Sequence, residues 1–109
     1  MGDQRTVPFE RIGWADDVPG VRTKEVNVEG VRWALVEYEE GARREEWCEE
    51  GHRGFVIKGG IQYEFDDGRE PLRAFEGEAL FLPPAPLDCG AHRGHNLASG
   101  PTRLFLIDG

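Results

Sequence analysis

The sequence predicts an all-β domain, and three observations carry that prediction. Its apolar runs are short, alternating or briefly continuous as in strands, and none repeats with the period of an amphipathic helix. Glycine (15) and proline (7) recur at short intervals, as the many turns of a barrel or sandwich require. At 109 residues the chain has material for one modest core and not two, so residues 1–109 are expected to form a single domain with an N-terminal arm over about 1–20.

Thr6 to Ile12 places Val7, Phe9 and Ile12 around Pro8, the pattern of an extended edge arm, because proline has no N–H for a central ladder. Such an arm suits packing on a partner subunit, and with the open edges of β-sheets it predicts a homodimer. Trp14 to Gly20 is rich in turn residues. Val21 to Val28 and Val31 to Tyr38, on either side of Gly30, read as two antiparallel strands. Gly54 to Gly60 holds Phe55, Val56 and Ile57, and a hairpin is expected around Gly59-Gly60. Ile61, Tyr63 and Phe65 then alternate with polar residues, and Asp67-Gly68 supplies a positive-φ turn that closes a hairpin. Leu72 and Phe75 begin the next strand and Glu76-Gly77-Glu78 turns the chain. Ala79 to Leu82 then runs into Pro83-Pro84-Ala85-Pro86, where no ladder continues. Leu87 to Ser99 is expected to be a loop, and Thr102 to Ile107 the last strand.

Charge narrows the function classes. A formal net charge of -8 repels phosphate backbones and anionic headgroups, so neither nucleic acid nor a membrane surface is an expected partner. The acidic run from Glu37 to Glu50 is expected to be a solvated edge. No stretch approaches the roughly 20 apolar residues of a membrane span and the first residues lack an apolar signal core, so a cytoplasmic location is expected. Two cysteines, Cys48 and Cys89, give no disulfide framework, and Cys89 is read as structural or incidental.

Two spacings stand out. Gly77, Pro83, His92 and Asn96 follow one another with five residues between the first pair and three between the last, and His52 precedes Gly59 by six intervening residues. In these respects the chain resembles the cupins, small double-sheet jelly-roll barrels (double-stranded β-helices), from about Val31 to Ile107. The first cupin motif ends in a metal-binding carboxylate, six residues and a turn glycine; His52 stands in the carboxylate's place and Gly59 in the glycine's. The motif's two histidines, one residue apart, fall on Glu46 and Cys48. The second motif is met by Gly77, Pro83, His92 and Asn96, although Pro84 to Ala91 lengthens it and leaves His95 as a rival to His92.

What the resemblance implies is a polar barrel pocket around His52 and His92. Residues two apart on a strand share a face, so Glu46 and Cys48 are expected to point into it together. Glu46, Cys48, His52 and His92 would then form a donor set for one divalent zinc or iron, the sulfur arguing against magnesium or calcium. The alternative is a pocket without metal, in which His52 and His92 are the catalytic pair and His52 acts as general acid or base. Cys48, amid carboxylates, is expected to have its thiolate disfavoured, which makes a nucleophilic role improbable without a metal or the imidazolium of His52. Trp47, Tyr63 and Asn96 are the expected pocket lining, while Arg53 and Arg93 should face solvent. The resemblance implies a small polar metabolite as ligand, with oxygenase, isomerase or lyase chemistry. A non-catalytic ligand-sensing or regulatory module is the other reading.

Overall fold

Residues 5–85 and 90–108 are described by a computed structural model in which nine strands and one turn of 3-10 helix succeed one another. The strands are β1 Ala15–Val18, β2 Val21–Val28, β3 Val31–Tyr38, β4 His52–Lys58 and β5 Gly60–Phe65, then β6 Leu72–Phe75, β7 Ala79–Leu82, β8 His92–Asn96 and β9 Thr102–Asp108. They form a six-stranded sheet in the order β1-β2-β3-β9-β4-β7 and a three-stranded sheet in the order β6-β5-β8, with antiparallel pairing throughout.

Strand alternation builds the core. Ala34, Val36 and Tyr38 from β3, Leu104 and Leu106 from β9, Val56 from β4 and Leu80 and Leu82 from β7 face Ile61 and Tyr63 of β5 and Ala74 of β6. Leu82 and Leu104 are fully buried, and each such side chain stabilises the fold by roughly 1.5–3 kcal/mol relative to exposure.

The expected hairpin at Asp67-Gly68 joins β5 to β6, with Gly60 opposite Phe75 and Tyr63 opposite Leu72, and Gly68 takes φ +82°. The hairpin expected around Gly59-Gly60 is instead a corner between the two sheets. β4 pairs with β7 and β9, whereas β5 pairs with β6 and β8. A register shift between Val56 and Lys58 bends β4, and Gly59 at φ +87° completes the change of sheet. A Cβ there would lie 2.3 Å from Thr102 Oγ1, so glycine is required by space as well as by backbone.

Two further expectations are corrected. Thr6 to Ile12 forms no strand; Phe9–Arg11 is a 3-10 turn whose Phe9 ring meets Phe105 edge-on at 6.0 Å, while Lys24 Nζ donates to Phe9 O at 2.9 Å. One edge of the six-stranded sheet is instead β1, in the segment expected to turn. The expected loop from Leu87 to Ser99 contains β8, missed because its inward positions are His92, Gly94 and Asn96 rather than apolar residues. Leu87, Cys89 and the expectation placed on Cys89 lie outside the described residues. No described helix is long and apolar enough to cross a membrane.

Candidate functional site

Cross-strand register assembles the site. Asp108, near the end of β9, is opposite Arg32 of β3 on one side and His52 of β4 on the other, and His52 is in turn opposite Leu82 of β7. Residues opposed in this way bring their side chains together. His52 Nδ1 lies 2.5 Å from Asp108 Oδ1, and Arg32 Nη1 donates to Asp108 Oδ2 at 2.7 Å. Arg32 is itself held by Glu25.

The other two members come from across the barrel. The segment after β3 returns along β8 as two isolated bridges, Arg43 with His95 and Cys48 with His92. Cys48 N donates to His92 O at 2.7 Å and His92 N to Cys48 O at 2.9 Å, which fixes the two side chains beside each other. Cys48 Sγ lies 3.7 Å from His52 Nε2, and the His92 ring stands edge-on to those of His52 (4.9 Å) and Tyr63 (5.6 Å). One ligand atom from each of Cys48, His52 and His92 lies within 4.8 Å of the others. Two ligand atoms of a tetrahedral zinc, one sulfur and one nitrogen, are on the order of 3.5 Å apart, so the Cys48–His52 separation suits a shared ion.

The electrostatics favour charged partners. The hydrogen bond from His52, seconded by His92, outweighs burial and lowers the Cys48 thiol to about 6. Burial works against the His52 imidazolium, but Asp108 and the Cys48 sulfur overcome it and raise His52 to about 9. Asp108, despite desolvation, is held below the usual carboxylate range by His52 and Arg32. The exception allowed for Cys48 is thereby met: its neighbour is the His52 imidazolium and not a carboxylate. His92 is 2% exposed, and its Nε2 is a buried polar atom without a hydrogen-bond partner among the described residues.

No family model and no curated protein matches the chain. Solved structures do. KdgF from Halomonas sp. aligns over 98% of this chain and 94% of its own at 20% identity with a TM-score of 0.71. The polyketide cyclase RemF from Streptomyces resistomycificus aligns over 97% and 79% at 14% identity and 0.74, and an RmlC-like cupin from Shewanella frigidimarina over 98% and 90% at 13% and 0.70. This chain has the cupin fold.

Within that fold, three of the four expected metal-ligand positions, Cys48, His52 and His92, come together and the fourth does not. Glu46 is exposed and outside the cluster. Between the two bridges the segment advances five residues while β8 advances three, so the period-two argument that paired Glu46 with Cys48 fails at a bend on Glu46. Trp47, expected in the pocket, is 40% exposed and lies under the Arg93 guanidinium at 4.1 Å. Tyr63 is buried against His92 and walls the site. Asn96 is buried but spoken for: its Nδ2 donates to the carbonyls of Tyr38, Glu39 and Gly100 and its Oδ1 accepts from Thr102 Oγ1 and Ala98 N. His95 lies outside the cluster, because alternation on β8 turns it away from the face that His92 and Asn96 share. Arg93 pairs with Glu64, as its expected outward position implies.

Asp108 and Arg32 were not anticipated. They stand 56 and 20 residues from His52, and the signal available was their polarity at the ends of apolar strands. A cavity of about 710 Å³ adjoins this group, lined by Arg32, His52, Arg53, Phe81, Pro84 and Asp108 among others.

Proposed function

We propose that the protein holds one divalent zinc or iron through Cys48, His52 and His92 and acts on a small polar organic molecule admitted by the cavity beside His52. The observation that carries this reading is that His92 Nε2 has no hydrogen-bond partner among the described residues. A buried imidazole nitrogen left without a partner is costly, and it sits in a group whose other two members are a thiol poised as thiolate and a second imidazole. Such a donor set fits a borderline or soft transition metal.

The surrounding residues have definite tasks. Asp108 accepts from His52 Nδ1, which fixes the ring and leaves Nε2 directed at Cys48; Arg32 holds Asp108 in place. Tyr63 and the core behind it shield His92 from water. The cavity offers Arg53 for an anionic group and Phe81 and Pro84 for an apolar one. Cys48, His52 and His92 would hold the metal, which would supply Lewis-acid chemistry at the cavity. Without metal, the same His52, raised to about 9, is the group able to hold and release a proton. That RemF is a polyketide cyclase supports chemistry on organic molecules at the level of the fold alone.

Elemental analysis of protein purified without added metal, followed by dialysis against zinc or ferrous iron, tests the proposal. One equivalent of metal is expected, lost in Cys48→Ser and His92→Ala and retained in Glu46→Ala. No stoichiometric transition metal as purified and none after dialysis would overturn it and leave the metal-free reading of His52.

A further inference from the structure

Between His92 and Asn96 the inward face of β8 carries Gly94, opposite Tyr63 of β5 on one side. On the other side Arg44 N donates to Gly94 O at 2.9 Å. The position is a notch. A Cβ at Gly94 would lie 2.5 Å from Tyr38 Oη and 3.2 Å from the Tyr63 ring, so β3 delivers its tyrosine hydroxyl into the space a side chain would fill. There Tyr38 Oη accepts from Arg44 Nε at 3.0 Å, and Arg44 Nη2 donates to Asp17 Oδ2 at 2.7 Å.

The polar valences of this group are not closed. Tyr38 is 2% exposed and accepts from Arg44, but its own O–H has no acceptor among the described residues. Tyr63 is 3% exposed, and its hydroxyl makes no hydrogen bond among the described residues. Arg44 engages Nε and Nη2, which leaves Nη1 without an acceptor among the described residues. A buried phenol whose proton meets no acceptor forgoes a hydrogen bond that water would have supplied. The charges that act on the Tyr63 hydroxyl are those of Tyr38, Arg44, Asp108 and Cys48, so it is within reach of both the Arg44 group and the cluster around Cys48.

We infer that Tyr38, Tyr63 and Arg44 hold an anionic oxygen of the molecule acted on at Cys48, His52 and His92, and that this molecule is a small carboxylic acid. The inference rests on the reading of that cluster as the reactive site, with or without metal. What the three residues leave open is donors, two phenolic O–H groups and one arm of a guanidinium. Converging donors select an acceptor, and a charged acceptor is held more strongly than a neutral one. Charge selects among oxyanions. Asp17 already opposes the Arg44 cation, so a carboxylate brings one uncompensated charge into a shielded space where a phosphate ester would bring about two. The row of Tyr63, Gly94 and Arg44 is two residues along β8 from the row of Phe65, His92 and Cys48, about 7 Å at the rise of a strand. An acid spanning the two rows has its reacting carbon within a few bonds of its carboxylate. Arg53, exposed in the cavity lining, meets such an acid on entry, and the shielded Arg44 holds it once seated.

Isothermal titration calorimetry of the full chain, zinc-loaded and metal-free, with lactate, butyrate and benzoate and with the amide of each tests the inference. At least one acid is expected to bind about tenfold or more tightly than its amide. Tyr63→Phe, which keeps the ring against His92, and Arg44→Gln should each weaken that acid about tenfold and bring it close to its amide, with circular dichroism and zinc content unchanged. No acid bound up to millimolar concentration, no preference for acid over amide, or variants as tight as the parent would overturn the inference. Acid binding by a protein that takes up no zinc would sustain it while removing the metal reading, and zinc uptake without acid binding would do the reverse.

Discussion

The two ends of β8 bury polar side chains under opposite conditions. At the C-terminal end Asn96 is saturated, its amide shared among three backbone carbonyls and its oxygen accepting from Thr102 and Ala98. Thr102 Oγ1 in turn lies 3.0 Å from both the N and the O of Gly60, so one network ties β8, β9 and the corner between the sheets. At the N-terminal end His92 is as deeply buried, yet its Nε2 has no hydrogen-bond partner among the described residues. Saturation marks a brace. An open buried valence, on a residue grouped with a thiol and another imidazole, is the feature on which the proposed ligand site rests.

The largest effect expected from breaking this contrast is at the brace. Asn96→Ala strips partners from Thr102 and from carbonyls inside the fold, and should cost about 3 kcal/mol or more in urea unfolding. His92→Phe removes a buried polar atom without a partner among the described residues while keeping a ring against Tyr63, so in metal-free protein at pH 5, where the Cys48 thiol that His92 helps to lower to about 6 is protonated, it should be neutral or stabilising. Equal losses from the two variants would erase the distinction between the ends of β8.

The contrast is sharpened next through Asp108, which acts on the open end only by way of His52. Asp108→Asn should weaken zinc affinity about 10–100-fold in competition titrations against a chromogenic chelator. Unchanged affinity would show that His52 is oriented by its strand alone.

The smallest effect concerns pH in metal-free protein. His52 is raised from 6.5 to about 9, so its stabilisation is complete below 6.5 and is lost as pH rises through about 9. Cys48 is lowered from 9.0 to about 6, so its stabilisation grows above about 6 and is complete above 9.0. The two slopes oppose each other, and the parent protein should be nearly level between pH 6.5 and 9. Cys48→Ser removes the rising half, and stability should then fall with pH by up to about 1.4 kcal/mol per unit. Urea midpoints across this range decide it; a level profile in the variant would remove the sulfur–imidazole pair as the source.

Legibility in the sequence followed local chemistry. Alternation and turn residues sufficed for β2, β3, β5, β6, β7 and β9, and Asp67-Gly68 identified the β5–β6 hairpin because the turn's backbone demand is written in two adjacent residues. β8 escaped because its buried face is polar, and apolar alternation reports strands only where burial is apolar. Glu46 was misplaced for a related reason: period two holds along a regular ladder, and the segment beside β8 carries two extra residues between its bridges.

The spacing of Gly77, Pro83, His92 and Asn96 and of His52 and Gly59 was enough by itself to indicate a cupin barrel and to nominate His52, Cys48 and His92. Only the tertiary structure chose His92 over His95, because strand alternation decides which histidine faces inward. It alone brought Asp108 and Arg32 to His52, since the pairing of β9 with β3 and β4 joins positions far apart in sequence. It alone decided which of the two surroundings weighed for Cys48, carboxylates or the His52 imidazolium, sets its charge. A thiol's state is set by the atoms within a few ångströms of it, and here those belong to His52 and His92 rather than to the carboxylates beside it in the chain.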